Sequence, residues 1–292
     1  MAVGRVTGAA AALAAGVAAL WGTNPAALKV AMREVPPIGA AGERFAIAAV
    51  GVYLVCRATG VRAWPRRGEG WWLGVVGLFF IAQIATFTLG VYWGSASHSV
   101  VLLHTYPFFV VGMAHFLIPG ERATAGRAAG LAAAFGGIAA LFAGEWGRWE
   151  GTQLLGDGVQ LASAFVLGAE VIFLKHAVAR IDSTRVVLWQ MVAGAAAFLG
   201  YSLAFEGLAA VRPGVMSAAA VVYQGLIIGT LCFSVWTWLL RRFAAGRVAV
   251  FGFISPLVGV AISVWLLREP VSGGLLVSAG MVALGIVAAN VW

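Results

Sequence analysis

Apolar segments of about 20 residues recur along the whole chain and are separated only by short polar connections. A helix needs roughly 20 apolar residues to cross the hydrocarbon core of a bilayer. Because lipid offers no hydrogen-bond partners, the backbone of each segment must satisfy its own polar groups, as a helix does. The pattern predicts an all-α integral membrane protein with ten transmembrane helices, at about 8–31, 37–57, 70–92, 97–118, 124–144, 158–178, 185–205, 215–239, 247–267 and 272–291.

Composition excludes a soluble globular protein. Of the 292 residues, 62% are hydrophobic and 10% are charged, whereas a soluble domain carries about 25% charged residues. No connection is long enough for a soluble domain. The first apolar segment has no small-residue cleavage signal at its end, so we expect it to be a retained span and not a signal peptide.

The net charge of +8 follows the membrane topology. If the N-terminus faces the cytoplasm, the inner connections hold thirteen basic residues: Arg5, Arg57, Arg62, Arg66, Arg67, Arg122, Arg127, Lys175, Arg180, Arg185, Arg241, Arg242 and Arg247. The outer connections hold five: Lys29, Arg33, Arg148, Arg212 and Arg268. This asymmetry obeys the positive-inside rule and predicts that both termini are cytoplasmic. The basic excess therefore does not indicate a nucleic-acid partner.

Two stretches about 150 residues apart share one layout. HTYPFFVVGMAHFLIPGER (104–122) and FISPLVGVAISVWLLRE (253–269) are apolar runs that contain a proline, Pro107 or Pro256, and close on a glutamate. The glycine-rich helices that follow them are also alike. We interpret the chain as two five-helix repeats, residues 1–145 and 151–292.

The starts of the two halves align as well. WGTNPAALK matches LGAEVIFLK, which puts Asn24 on Glu170 and, further along, Arg44 on Gln190. Since five is odd, the second half must begin on the opposite side of the membrane, which makes the repeats inverted. Inverted repeats are typical of secondary transporters that bind substrate near the midplane.

The repeated prolines have two interpretations. Proline is common in spanning helices because neighbours satisfy the freed backbone groups, so each can be a structural kink. Two prolines at equivalent positions of inverted halves can equally be hinges for alternating access. We retain Pro107 and Pro256 as hinge candidates.

The sequence resembles the drug/metabolite transporter superfamily, in its ten-helix EamA-type branch. The resemblance rests on WGTNPAALK with GERFAIAAV downstream, YPFFVVGMAHFLIPGE, and VWTWLLRRFAAGRVAVFGFISPLVGVAISVWLLREP. It implies a cavity lined by spans 1–4 and 6–9 and the export of amino acids, other metabolites or drugs. The four-helix branch binds cations and protons through a glutamate in its first span, where this chain has Asn24.

Ionisable groups within spans are costly and are functional hypotheses by default. Glu170, a carboxyl group held away from water, could exchange protons or attract a substrate ammonium, or it could simply pair with a neighbour. Arg44 could bind a carboxylate in a bidentate manner or act as a structural clamp. His104 could relay protons or bond a backbone carbonyl. We predict a cavity formed by Asn24, Arg44, Gln83, Thr86, His104, Tyr106, Glu170, Gln190, Tyr223, Gln224 and Ser255.

Catalytic and cofactor motifs are missing from the sequence: it has no Walker A loop, nucleophile elbow or zinc motif. We therefore predict no enzymatic activity, cofactor or metal. The expected function is secondary active or facilitative transport in a bacterial inner membrane, with amino acids or related small metabolites exported. A multidrug or cation exporter is the alternative, and an intramembrane enzyme using His104 is a remote one. Small residues at four-residue spacing predict close packing between the halves, or between protomers of a homodimer.

Overall fold

The computed structural model describes residues 8–117, 129, 132–133, 136–137, 139–140, 151–207, 211–243 and 250–291. Throughout these ranges the regular structure is helical, and none of these residues forms a strand. Six of the described helices are long and apolar enough to cross a membrane. This confirms a multi-pass helical membrane protein. The predicted span at 124–144 lies almost wholly outside the described residues, so the count of ten and the side of the termini stay predictions.

The described helices overlap the predicted spans outside 124–144, and two helices together occupy the fourth span. Their bounds are α1 (Gly8–Ala31), α2 (Pro37–Thr59), α3 (Gly70–Trp93), α4 (Ala96–Leu103), α5 (Tyr106–Leu117), α6 (Gly151–Val178), α7 (Ser183–Glu206), α8 (Val215–Arg242), α9 (Ile254–Leu267) and α10 (Gly273–Val291). The end of α7 and the middle of α8 are wound as π-helix, over Ser202–Glu206 and Gln224–Cys232. Such widened turns occur frequently at functional sites.

Both repeated prolines lie where a helix begins again, and neither lies within a continuous helix. The fourth predicted span is broken at His104 and Thr105, and Pro107 is the second residue of α5. Pro256 is the third residue of α9, which follows a 3-10 turn over Val250–Phe253. Proline fits the first turn of a helix because its missing N–H would have no partner there. Their role as hinges remains a prediction.

The two halves pack with matching contacts. Helix α1 lies against α9, as α6 lies against α5. The aligned glycines mediate both contacts: a Cβ on Gly22 would lie 2.5 Å from the carbonyl oxygen of Ser255, and one on Gly168 would lie 3.0 Å from Cβ of Phe109. Helix α2 packs against α7, and α3 against α6. Helices of the first half therefore pack directly against helices of the second half.

Three glutamates bind the N-termini of helices that are distant in sequence, all at the predicted outer side. Glu34 accepts the N–H of Gly214 before α8 (2.8 Å), and Glu206 accepts that of Gly39 in α2 (2.9 Å). Glu269 accepts the N–H of Ala96 in α4 (2.8 Å). A carboxylate satisfies donors that have no partner within the helix and complements the positive end of its dipole.

Glu34 makes a small contribution to the stability of the fold, and this contribution depends on pH. The Ser217 hydroxyl and then the Gly214 N–H stabilise its carboxylate and lower its pKa below the ordinary 4.5. Since the folded pKa is the lower one, this stability is present above the unfolded pKa and is lost as pH falls through the folded value. We expect the Tm of the wild type to fall more between pH 6 and pH 3.5 than that of Glu34→Gln. Parallel melting profiles would contradict this.

Candidate functional site

A cavity of about 130 Å³ lies between the two halves of the chain. Its volume is comparable to that of an engineered protein cavity that binds benzene, about 150 Å³. Nine of the eleven predicted residues line it: Asn24, Arg44, Gln83, His104, Tyr106, Glu170, Gln190, Gln224 and Ser255. None of the described side chains of α10 is among the lining residues.

Arg44 is the cation of the cavity. The residue is 2% exposed, and its Nη1 donates to Oε1 of Gln224 at 2.7 Å and to Oδ1 of Asn24 at 3.4 Å. The Nε and Nη2 atoms have no hydrogen-bond partner in the described structure. The guanidinium carbon lies 4.6 Å from the ring centre of Phe45. Because a buried donor without a partner is costly, this side chain is suited to binding an anionic group from a ligand.

Glu170 is the corresponding acid on α6. It is 3% exposed, and its Oε1 accepts a hydrogen bond from Nε2 of Gln190 at 2.7 Å. Its Oε2 has no partner in the described structure. No ion pair joins Glu170 to Arg44, although both line the cavity. The cavity thus presents one carboxyl group and one guanidinium group, each with atoms that lack a hydrogen-bond partner in the described structure.

The repeat alignment explains how these residues come together. Asn24 and Arg44 are hydrogen-bonded in the first half, and their aligned counterparts Glu170 and Gln190 are hydrogen-bonded in the second. In each pair one member is an amide and the other is ionisable. The first half therefore supplies a guanidinium group and the second half a carboxyl group, at positions that the repeat alignment places close together in each half.

Three other polar lining residues have hydrogen-bond partners within the protein, and two of them, Gln83 and Ser255, join separate helices. Nδ1 of His104 lies 2.7 Å from the carbonyl oxygen of Val100, one turn earlier. Nε2 of Gln83 donates to Oγ of Ser163 (3.2 Å), which joins α3 to α6. The Ser255 hydroxyl donates to the carbonyl oxygen of Ala18 (2.6 Å), which joins α9 to α1.

The two remaining predicted residues do not line the cavity. The Thr86 hydroxyl donates to carbonyl oxygens of its own helix, at 2.8 Å to Ala82. The Tyr223 hydroxyl lies 2.6 Å from Oγ1 of Thr23. A threonine in a helix commonly bonds back one turn in this way.

Sequence reasoning missed most of the aromatic wall of the cavity. Besides Trp21 and the predicted Tyr106, this wall consists of Phe45, Phe87, Phe233 and Trp236. A signal for part of it was present. Phe45 follows Arg44 directly, and Phe87 lies one turn beyond Gln83, so both are close to predicted polar positions. Trp21 and Trp236 pack with ring centres 4.9 Å apart.

Tight contacts between the halves lie on the predicted outer side of the cavity. A Cβ on Gly156 of α6 would lie 2.6 Å from Cα of Gly94, at the end of α3. Nδ1 of His98 lies 2.8 Å from Oδ2 of Asp157, and both side chains are buried. The Glu269 carboxylate also accepts the N–H and hydroxyl of Ser97. No signal in the single sequence paired these residues.

The side-chain types that hold metals or form disulfides in proteins do not assemble such a site among the described residues. No group of three or more His, Cys, Asp or Glu side chains comes together within the described ranges to hold a metal. Both cysteines, Cys56 and Cys232, are free and buried. Spanning helices around a central cavity with unpaired polar atoms are typical of membrane transporters.

Comparison with known proteins identifies the kind of transporter. The EamA-like transporter family matches residues 8–143 and again residues 154–291, and the chain belongs to that family. The resemblance seen in the sequence is thereby confirmed. Because the family consists of transporters, the chain is a transporter and not an enzyme.

Individual relatives cover nearly the whole chain. A "Probable amino-acid metabolite efflux pump" of Escherichia coli is 27% identical over 282 residues, 92% of this chain and 91% of that protein. An "Uncharacterized transporter YoaV" of Bacillus subtilis is 22% identical over 271 residues, 92% of each chain. A solved crystal structure has a TM-score of 0.73 at 21% identity, over 96% of this chain and 98% of that one, which shows the same fold.

Proposed function

We propose that the protein exports amino acids or related small metabolites across a bacterial inner membrane by alternating access. The observation that carries the proposal is that two ionisable groups of the cavity have unpaired atoms: Nε and Nη2 of Arg44 and Oε2 of Glu170 lack hydrogen-bond partners in the described structure. An amino acid carries a carboxylate for the guanidinium and an ammonium for the carboxylate. Its binding would relieve the cost of leaving both groups unpaired.

Two further observations support this reading. The Escherichia coli and Salmonella typhimurium relatives are both described as probable amino-acid metabolite efflux pumps. The halves also meet tightly at Gly94 and Gly156 on the predicted outer side. In an inverted repeat, such a closure on one side has a counterpart on the other when the halves rock.

There are two candidate driving forces for transport. Export is either facilitated diffusion down a gradient or proton exchange, for which Glu170 and His104 are the candidates. The ring of His104 is bonded to the carbonyl oxygen of Val100, whereas Glu170 keeps one oxygen free. Glu170 is therefore the stronger candidate for binding a proton.

A drug or cation exporter of the same superfamily is the second candidate function. A cationic drug would satisfy Glu170 but would leave the free donors of Arg44 unpaired. The two functions therefore differ in their need for Arg44. Replacing Arg44 would impair amino-acid transport, whereas it would leave transport of an organic cation intact or improve it.

The test is counterflow with purified protein in liposomes. Vesicles are loaded with one unlabelled amino acid or one organic cation, the labelled compound is added outside, and uptake is followed for wild type and Arg44→Gln. We expect uptake of some amino acids by the wild type, and a loss of about tenfold or more in Arg44→Gln. Flat traces for every amino acid, with organic-cation uptake that survives Arg44→Gln, would replace this function with cation export.

A further inference from the structure

A second hollow lies between α3 and α7, distinct from the central cavity. This groove has a volume of about 480 Å³ and is lined by Pro65, Gly70, Leu73, Gly74, Gly77, Leu78, Ile81, Trp189 and Ala193. The one polar group among these side chains, the indole N–H of Trp189, donates to the carbonyl oxygen of Ala63 at 3.0 Å. The groove therefore offers no polar side-chain atom in need of a partner.

The groove opens on the surface of the helix bundle. Leu78 is 68% exposed, and a side chain built on Gly70 or Gly74 would meet no atom within 4 Å. Since α3 is long and apolar enough to span the membrane, its exposed face contacts hydrocarbon. A hollow left empty there would lose dispersion contacts along its walls, and the material available to fill it is an acyl chain.

The groove has the length of one lipid leaflet. Eleven residues separate its ends on α3, from Gly70 to Ile81, which corresponds to about 16 Å of helix. Half of the hydrocarbon core of a bilayer is about 15 Å. At its mouth Trp64 is 68% exposed and Trp71 is 74% exposed. Exposed tryptophans are typical of the membrane–water boundary, so the groove runs from that boundary toward the midplane.

The connection between α2 and α3, residues 60–69, lies at the Gly70 end of the groove and carries positive charge that no acidic side chain balances within the described structure. Arg62, Arg66 and Arg67 are exposed and form no ion pair with any described residue. The acid of this connection, Glu69, is already engaged: Nη1 of Arg185 donates to its Oε1 at 2.8 Å, and the Arg66 N–H donates to its Oε2 at 2.8 Å. The free guanidinium groups therefore stand beside the mouth with no carboxylate to neutralise them.

We propose that this groove binds a phospholipid with an anionic headgroup. One acyl chain lies along Gly70, Gly74 and Gly77, and the phosphate is held by Arg66 and Arg67, whose planar forks suit phosphate oxygens. Basic groups at a membrane surface attract lipids with anionic headgroups. Because α3 belongs to the first half and α7 to the second, the lipid contacts both halves. The proposal does not depend on which substrate the central cavity binds.

Native mass spectrometry of the full-length protein tests the proposal. The protein is mixed in detergent with equal amounts of phosphatidylglycerol and phosphatidylcholine of the same chain length. We expect the wild type to retain phosphatidylglycerol with roughly tenfold preference. R66Q/R67Q is expected to remove the preference, and Gly74→Leu to reduce the retention of both lipids. Gly16→Leu is the matched control, because Gly16 also lies on an open helix face with nothing within 4 Å of a Cβ.

Four results would overturn the proposal. Equal retention of the two lipids by the wild type would show that the site does not select an anionic headgroup. Unchanged retention in Gly74→Leu would show that the lipid does not bind in the groove. Glycerol phosphate that displaced the lipid at equal concentration would show that the arginines bind phosphate without an acyl chain. A dimer that Gly74→Leu dissociates, with no lipid retained, would assign the groove to contact between two copies of the chain.

Discussion

Replacing Glu170 with glutamine is expected to lower amino-acid counterflow by about 10- to 100-fold while the protein stays folded. The range corresponds to losing one hydrogen bond to a charged group, about 1.5–3 kcal/mol. Glutamine has nearly the same shape, and its amide oxygen can still accept the hydrogen bond that Gln190 now gives to Glu170 at 2.7 Å. What the substitution removes is the carboxyl oxygen that has no hydrogen-bond partner in the described structure.

The control for this variant is Glu43→Gln. Glu43 is also an intramembrane glutamate, next to Arg44 in sequence, but it does not line the cavity. We expect counterflow of Glu43→Gln to match the wild type at every pH. If Glu170 also exchanges protons, the rate of the wild type will vary with pH and that of Glu170→Gln will not. Full counterflow in Glu170→Gln would show that the carboxylate does not recognise substrate.

Replacing Gly156 with alanine is expected to destabilise the protein, although alanine normally stabilises a helix. The added methyl group would overlap the backbone of Gly94 and lie 2.7 Å from the carbonyl carbon of Trp93. Backbone atoms cannot rotate away as a side chain can, so α3 and α6 must separate. Overpacking of this kind costs about 1–3 kcal/mol in the free energy of unfolding. A lower Tm in detergent is the expected measurement.

Gly158→Ala separates overpacking from helix propensity. Gly158 lies two residues further along α6, and a Cβ there would meet nothing within 4 Å. Both substitutions gain the same helix propensity, about 0.5–1 kcal/mol, but only Gly156→Ala meets a neighbour. We expect Gly158→Ala to melt at or above the wild-type temperature. Equal melting temperatures for the two variants would show that the contact at Gly94 yields without cost.

Local sequence patterns were sufficient to predict that the chain is a membrane protein and which polar residues form the main part of the site. The long apolar runs predicted the spanning helices, because a bilayer demands a length and an apolarity that are visible in a single segment. The repeat alignment put Asn24 on Glu170 and Arg44 on Gln190, and the structure joins each half's pair by a hydrogen bond. The family resemblance is confirmed by matches in both halves.

Polar residues within spans were harder to assign. Tyr223 and Gln224 are neighbours on α8, yet Gln224 bonds Arg44 in the cavity while Tyr223 bonds Thr23 outside its lining. The widened π-helical turns begin at this point, so the direction of each side chain departs from ordinary helical spacing. A spanning helix is apolar on every side. Hydropathy therefore does not show which face of the helix is buried in the protein, as the amphipathic pattern does for a helix of a soluble protein.

The sequence by itself determined the spanning helices, the repeat and the residues that carry charge into the membrane, because each follows from hydropathy, spacing or alignment along the chain. Only the tertiary structure decided that Arg44 and Glu170 keep unpaired atoms facing one cavity. It also decided that Gly94 meets Gly156 and that Glu269 binds the start of α4. These contacts join segments about 60 to 170 residues apart, and they depend on helix rotation and depth, which packing sets and hydropathy does not encode.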